Sequence, residues 1–224
     1  MGTRTGQSIL DRAWIKAHDN DINKRWDADE GLIWVNDAQL AVVELLPRAY
    51  TQSATVTAAP GTRQTMVTLG ITRGLQFIDV PHNVSLGGAP GSPITKVKRA
   101  FMDERVPTWH SALATEAKHW MTDEEDPKAC YITPAISGGG KLKVVYAAMP
   151  EDLTSLENTL VLDDIYANAC QWFVLFSFYS KDLASIKSSQ MAQMYYGLFQ
   201  QSLGIRDQKI SMTEGKSNAN QKGA

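Results

Sequence analysis

Apolar residues recur at helical spacing at both ends of the chain and at alternating positions in its middle. Leu10, Ala13, Trp14 and Ala17 fall on one face of a helix predicted over about Ser8 to His18. A polar stretch from Asp19 to Trp26 leads to a second start signal, in which Asp27 is placed to cap a helix and Glu30, three residues on, to reach back to it. Leu32, Val35, Ala38, Gln39, Val42, Val43 and Leu46 make a core-facing stripe on that helix, interrupted at Gln39, and Pro47 ends it.

After Tyr50 the period changes to two. Thr55-Val56-Thr57 and Thr65 to Leu69 alternate around Ala59-Pro60-Gly61, which predicts a hairpin. Asp79-Val80-Pro81-His82 and the Gly87 to Pro93 loop separate it from an extended stretch, Ile94 to Val97, whose sequel from Ala100 to Glu104 suits a helical turn. Cys130 to Thr133 and Lys141 to Tyr146 flank Ser137-Gly138-Gly139-Gly140, a pattern that predicts a second hairpin with a flexible glycine tip. The middle is therefore expected to be antiparallel β.

Helix resumes at about Asp163, where Asp163 and Asp164 suit the positive end of the helix dipole. Ile165, Ala169, Trp172, Phe173, Phe176 and Tyr179 form a broad apolar face. Lys181 to Lys187 reads as a tight connection to a last helix with Met191, Met194, Tyr195 and Leu198 on one side and Gly204 as its stop. Arg206 to Ala224 is polar except for Ile210 and Met212, and alone it is expected to be disordered. The fold class expected is α+β: a helical bundle from residues 1–50 and 151–205, a β-rich insertion at 51–150, and an extended tail at 206–224.

With 224 residues the chain can bury a core without disulfides or metals, and a net charge of −2 gives no global field toward nucleic acid or anionic membrane. Cys130 and Cys170 lie far apart in apolar surroundings and read as buried thiols. The N-terminus lacks the apolar core of a secretory signal, so synthesis and retention in a reducing cytoplasm are expected, with Asn83-Val84-Ser85 an idle sequon. The most apolar run, Ala169 to Tyr179, falls short of the roughly 20 residues that span a bilayer.

Catalytic motifs are missing from the sequence. Gly140-Lys141 is followed by Leu142 and Gly215-Lys216-Ser217 lacks a leading glycine at Ile210, so neither is a phosphate loop. His18, His82, His110 and His119 have no metal-ligand spacing. Asp123-Glu124-Glu125-Asp126, closed by Pro127, reads as a solvated acidic turn before it reads as a cation site. Lys96-Val97-Lys98-Arg99, with Arg105 nearby, fits a strand edge with its lysines in water as well as it fits a phosphate contact. No cofactor, metal or small-molecule substrate is expected, and the chain reads as a structural assembly subunit.

Several short segments, taken in order, resemble the head-to-tail adaptor proteins of tailed bacteriophages. They are Leu10-Asp11-Arg12-Ala13, Arg25-Trp26, Trp34-Val35-Asn36-Asp37-Ala38-Gln39, Gly61-Thr62-Arg63-Gln64, Phe77-Ile78-Asp79-Val80, Pro107-Thr108-Trp109-His110, Asp126-Pro127, Val144-Val145-Tyr146, Asp164-Ile165-Tyr166 and Tyr179-Ser180-Lys181-Asp182. Asp163 and Cys130 depart from the pattern, which often has proline and an aromatic residue there. The N-terminus and the residues after Gly204 lie outside this resemblance. It implies a non-enzymatic virion protein of the neck: a homo-oligomeric ring of about twelve copies between the portal protein and a tail nozzle or tube, with genomic DNA passing through the lumen without sequence-specific binding.

Within this reading the tail residues Arg206, Lys209, Ile210, Met212, Lys216 and Lys222 are the candidate contacts to a partner, ordering on the portal. Competing expectations are a tail-terminator or completion ring, a DNA-binding packaging accessory that uses Lys96 to Arg105, and a metal-dependent hydrolase at His110, His119 and Asp123 to Asp126.

Overall fold

A computed structural model of the chain describes residues 2–18, 27–85, 87–137, 139–181 and 186–220, with side chains of the last helix described as far as Gly204. Its helices are α1 (Gly6–Ala17), α2 (Ala28–Leu45), α3 (Arg99–Arg105), α4 (Ala167–Lys181) and α5 (Ile186–Asn220). Between α2 and α4 run β1 (Thr51–Thr57), β2 (Arg63–Thr65), β3 (Gly74–Val84), β4 (Pro90–Pro93), β5 (Thr95–Lys96), β6 (Leu113–Ala114), β7 (His119–Thr122), β8 (Ala129–Thr133), β9 (Ala135–Ile136) and β10 (Lys141–Ala148). The fold is α+β. Residues 1–49 with 150–224 form one compact unit and residues 50–149 another.

In the helical unit α1 starts where Thr5, in an extended conformation, accepts the Ser8 N–H on its side-chain oxygen at 3.2 Å. It buries Ile9, Leu10, Ala13 and Trp14 and stops at His18, which turns left-handed with φ 54°. Asp27 occupies the N-cap position of α2 but makes no side-chain capping bond. Glu30 does not close the expected capping box, because its carboxylate pairs with the Lys181 ammonium at 2.7 Å, a charged partner in place of a neutral N–H. Gly31 lets α1 come close, since a Cβ there would meet Leu10 Cδ1 at 2.5 Å. The helix ends at Leu45 ahead of Pro47, as expected. Asp19 to Trp26, including the Arg25-Trp26 segment, lies outside the described residues.

The connection from Pro150 to Asp163 has little regular structure, and two strips of polar groups hold it. On one side the N-terminal segment bonds to it: Leu160 N–H donates to Arg4 O (2.8 Å), Gly6 N–H to Asn158 O (3.1 Å) and Gln7 N–H to Leu156 O (2.8 Å). On the other side α2 supplies amides. Asn36 donates to Leu153 O at 3.1 Å and accepts from Leu153 N at 2.8 Å, and Gln39 accepts from Val161 N at 2.8 Å. The polar interruption in the apolar stripe of α2 is thus a backbone anchor, fully buried beside Val35, Val42 and Val43.

Helix α4 corrects the expected single apolar face. Its deepest residues are Ala169, Cys170, Val174, Leu175 and Phe178, whereas Trp172, Phe173, Phe176 and Tyr179 are half-buried and Ile165 is exposed. The helix has neighbours on two sides. Phe178 meets Trp34 of α2 edge-on and Lys16 of α1 lies 3.6 Å over the Trp172 ring, while the half-buried rings face α5. Trp172 and Tyr179 stack on Tyr195, Phe173 meets Phe199 and Phe176 meets Tyr196, so α4 and α5 run antiparallel. The buried stripe of α5 is Ser188, Ala192, Tyr195, Phe199 and Leu203; Met194 is exposed, and Met191 and Leu198 are half-buried. Asp182 and most of the connection to α5 lie outside the described residues.

Gly204 does not stop α5, which continues to Asn220 and so replaces the expected disordered tail with helix. A glycine ends a helix by turning left-handed, and Gly204 is not among the glycines with positive φ. The residues that follow include no proline and offer Arg, Gln and Lys, which favour helix.

In the β unit both expected hairpins are wrong, for one reason. The strands order as β1-β10-β3-β4, β2-β8-β7-β5 and β6-β9, so β1 and β2 belong to different sheets, as do β8 and β10. Alternation tells that a strand is half-buried and not which strand it pairs with. The stretch expected to alternate from Thr65 to Leu69 leaves the sheet after Thr65 in a turn where Leu69 N–H donates to Thr65 O. Asp79 to His82 is no separator but the centre of the longest strand. Pro81 is tolerated there because β3 bulges: His82 is opposite Lys143 and Asp79 opposite Val145, leaving Val80 and Pro81 against Val144. Pairing is mostly antiparallel, with β5 on β7 and β6 on β9 parallel. Ile94 to Val97 and the following helical turn stand as expected, as β5 and α3. Val56, Met66, Phe77, Val80, Trp120, Ile132, Leu142 and Val144 make the core.

The crossing from β1 to β2 is held by Gln64, which is wholly buried. Its Oε1 accepts from Ala59 N at 2.7 Å, and its Nε2 donates to Ala59 O and Gly61 O, each at 2.9 Å. Replacing Gln64 by alanine strands these backbone groups, and a loss of about 3 kcal/mol is expected from urea unfolding of the purified chain. A serine side chain is too short to reach them, so Gln64→Ser should lose nearly as much.

Candidate interaction surfaces

The segments that suggested a family are chiefly anchors of the fold. Asn36 and Gln39 hold the Pro150 to Asp163 connection and Gln64 holds the β1 to β2 crossing. Arg63 binds the acidic turn, with Nε 3.4 Å from Asp123 Oδ2 and Nη2 3.1 Å from Asp126 Oδ2. Trp109 donates from its indole to Asp103 at 2.8 Å and stacks on His110 with centroids 3.5 Å apart, and His110 Nδ1 meets Thr62 Oγ1 at 3.1 Å. Asp164 gathers the N-terminus, accepting from Thr3 N (2.8 Å), Thr3 Oγ1 (2.6 Å) and Arg4 N (3.1 Å).

The acidic turn is tied down internally: Asp123 also accepts from Glu125 N and Asp126 from Lys128 N. Among the described residues no three His, Cys, Asp or Glu side chains are grouped to hold a metal. The histidines are scattered, with His82 Nδ1 on Asn83 O at 2.8 Å. Both cysteines are buried, and burial pushes the thiols of Cys130 and Cys170 up to about 12, so neither is a thiolate at neutral pH. Asn83, in the expected idle sequon, is buried and holds Ala117 by both N–H and C=O.

The basic cluster is dispersed over aromatic rings. Lys96 Nζ lies 4.7 Å over Trp120, Arg99 4.9 Å over Tyr131 and Arg105 5.1 Å over Phe101, and Arg99 also pairs with Asp103 at 3.7 Å. The tail residues Arg206, Lys209, Ile210, Met212 and Lys216 are carried on the helical backbone of α5, while Lys222 lies outside the described residues.

The surface signal that the residue patterns missed is apolar exposure. Ile15, Ile33, Leu45, Ile165, Ile186 and Met194 stand out of the helical unit, Ile186 at 79% exposure; in the β unit Val67 reaches 85% and Leu113 71%. Ile33 could have been found, since it falls off the apolar stripe of α2; Val67 could not, because it sat in an apparent strand.

The family model described as SU10 adaptor protein matches residues 4–221, and the chain belongs to this family of phage head-to-tail adaptors. The match includes the residues after Gly204 that the short segments left out. No curated protein matches the chain. Among the described residues no helix is long and apolar enough to cross a membrane.

Two carboxylates make opposite pH predictions. Hydrogen bonds from Thr3, foremost that from its hydroxyl, and from Arg4 hold the Asp164 carboxyl below the usual carboxylate range. Its contribution is present above the unfolded-state value and is lost as pH falls through the lowered folded value. Asp164→Asn should therefore lower the melting temperature at pH 7, with the gap closing toward pH 3. Desolvation, then the charge of Asp152, raises the Asp37 carboxyl. Its contribution is present below the unfolded-state value and lost as pH rises through the folded one, so Asp37→Asn should raise the melting temperature at pH 7 and leave it unchanged in acid.

Proposed function

We propose that the chain forms a ring, dodecameric in its assembled state, between the portal protein and the tail nozzle or tube, and that genomic DNA passes through its lumen without sequence-specific contact. The observation that carries this reading is the match to a phage adaptor family over residues 4–221. The helices of residues 1–50 and 151–205 serve as a bundle that carries the β-rich insertion, with the insertion toward the tail side and the α5 extension toward the portal. Exposed Ile15, Ile33, Leu45, Ile165 and Ile186 suit burial against neighbouring subunits, which lowers their cost in water. The protein works at the virion neck after synthesis in the host cytoplasm, and its role is structural.

A ring subunit needs two different complementary patches, because a self-complementary one closes at a dimer. Assembly on the portal supplies the template, so the isolated chain is expected to be monomeric. Mass measurement of the chain alone and mixed with the portal protein of the same genome tests this: a complex with about twelve adaptor copies is expected, a hexamer points to a tail terminator, and no association at any ratio removes the reading. Deleting residues 206–224 should abolish portal binding. The fold is expected to stay intact, with near-native circular dichroism from the remainder.

A further inference from the structure

Strand β1 stands at the end of its sheet. Two hydrogen bonds beyond its ends set its parity: Ala148 N–H donates to Tyr50 O at 3.0 Å, and Ala58 N–H donates to Gly140 O at 2.9 Å. Between them the register with β10 is unbroken, from Thr51 opposite Ala147 to Thr57 opposite Lys141. Bonded positions alternate in an antiparallel pair. Gln52, Ala54 and Val56 therefore bond to β10, while Thr51, Ser53, Thr55 and Thr57 turn their N–H and C=O groups outward. All four are exposed, and among the described residues their outward backbone groups meet no partner.

Sheet edges are ordinarily blunted by charge, proline, a bulge or a cover. Thr51-Gln52-Ser53-Ala54-Thr55-Val56-Thr57 has no charge, no proline and no bulge. The other edges are blunted. Pro90 and Pro93 deprive β4 of N–H groups, and Ser92 O is taken by Asn83 Nδ2 at 3.2 Å. On β2, Thr65 N–H donates to Thr68 Oγ1 at 3.0 Å and Thr65 O accepts from Thr68 Oγ1 at 2.9 Å. Strands β5, β6 and β9 are each only two residues long.

We propose that β1 binds an extended segment of a different protein chain as an added strand. Of the edges in a second copy of this chain, β1 is the one left open among its described residues; that pairing is two-fold and stops at a dimer, so preferring a different chain rests on the ring reading proposed above. The occupant is defined by the two faces it extends. Val56 belongs to the core and Ala54 packs against it, so the added strand sets apolar side chains beside them. Beside Thr51, Ser53, Thr55 and Thr57 it sets small hydroxyl or β-branched residues. The partner segment is uncharged and alternates between these two kinds. The open edge itself does not depend on the ring: if no ring forms, β1 still accepts an added strand, and the test separates a second copy from a different chain.

The test uses the full chain, amide exchange read by NMR, and an end-blocked peptide of alternating valine and threonine flanked by lysines. Its control is the fully N-methylated counterpart, which keeps the side chains and lacks every N–H. In the free chain Ser53, Thr55 and Thr57 amides should exchange fast while Ala54 and Val56 exchange slowly. Saturating peptide should slow the outward amides by roughly tenfold or more, leaving the inward ones unchanged, and the methylated control should do nothing. Thr55→Pro removes an outward N–H without breaking the ladder to β10 and should abolish the protection; Thr55→Lys serves if that variant does not fold. Slow outward exchange in the free chain, no protection at saturation, equal action of the methylated control, or a dimer through β1 in sedimentation would each overturn the proposal.

Discussion

Buried backbone that belongs to no helix or sheet must still have its N–H and C=O groups bonded, and in this chain side-chain amides meet much of that demand. Asn36 and Gln39 reach from α2 to the Pro150 to Asp163 connection, Gln64 closes the passage from β1 to β2, and Asn83 bonds both ways to Ala117. An amide can stand in for a peptide group because it donates and accepts in one plane. Each such residue is costly to lose, since a stranded buried group costs about 1–3 kcal/mol. The helices and strands could pack without these bonds only if the connections between them were exposed to water.

The same economy accounts for the chemistry of the side chains. Arg63 pairs with two carboxylates of the acidic turn, Lys96, Arg99 and Arg105 lie over rings of their own unit, and the cysteines are held as thiols. Among the described residues these groups are committed to neighbours. Turned outward beside the ordinary charged surface are isoleucines and a leucine on the helical unit and the uncharged hydroxyl-rich edge of β1. Those are features that other chains can cover, which accords with membership of an adaptor family.

The legible part of the fold was the part with local causes. The start of α2 next to Asp27, its end ahead of Pro47 and the antiparallel pairing of α4 and α5, two apolar helices joined by a short connection, were legible; α1 begins at Gly6, ahead of the expected Ser8, on a Thr5 cap that the pattern of apolar residues does not mark. Glu30 was read as half of a capping box from its spacing alone, and Lys181, far away in the chain, redirected it. Gln39 looked like a flaw in an apolar stripe because its partner, Val161 N, is not a neighbour in sequence. The segments that marked the family could be recognised before their work was known; most of them turn out to hold the fold together.

Sequence by itself determined that the chain is helical toward both ends and largely extended in its middle, because periods of 3.6 and 2 are local consequences of which face is buried. It also determined that both cysteines belong in apolar surroundings. Tertiary structure alone decided the strand partners, since Thr55-Val56-Thr57 has the same alternation whether it pairs with β2 or with β10. It alone decided that Pro81 sits at a bulge opposite Val144 and that β1 keeps an open edge. These outcomes depend on contacts between residues far apart in the chain, which no local pattern encodes.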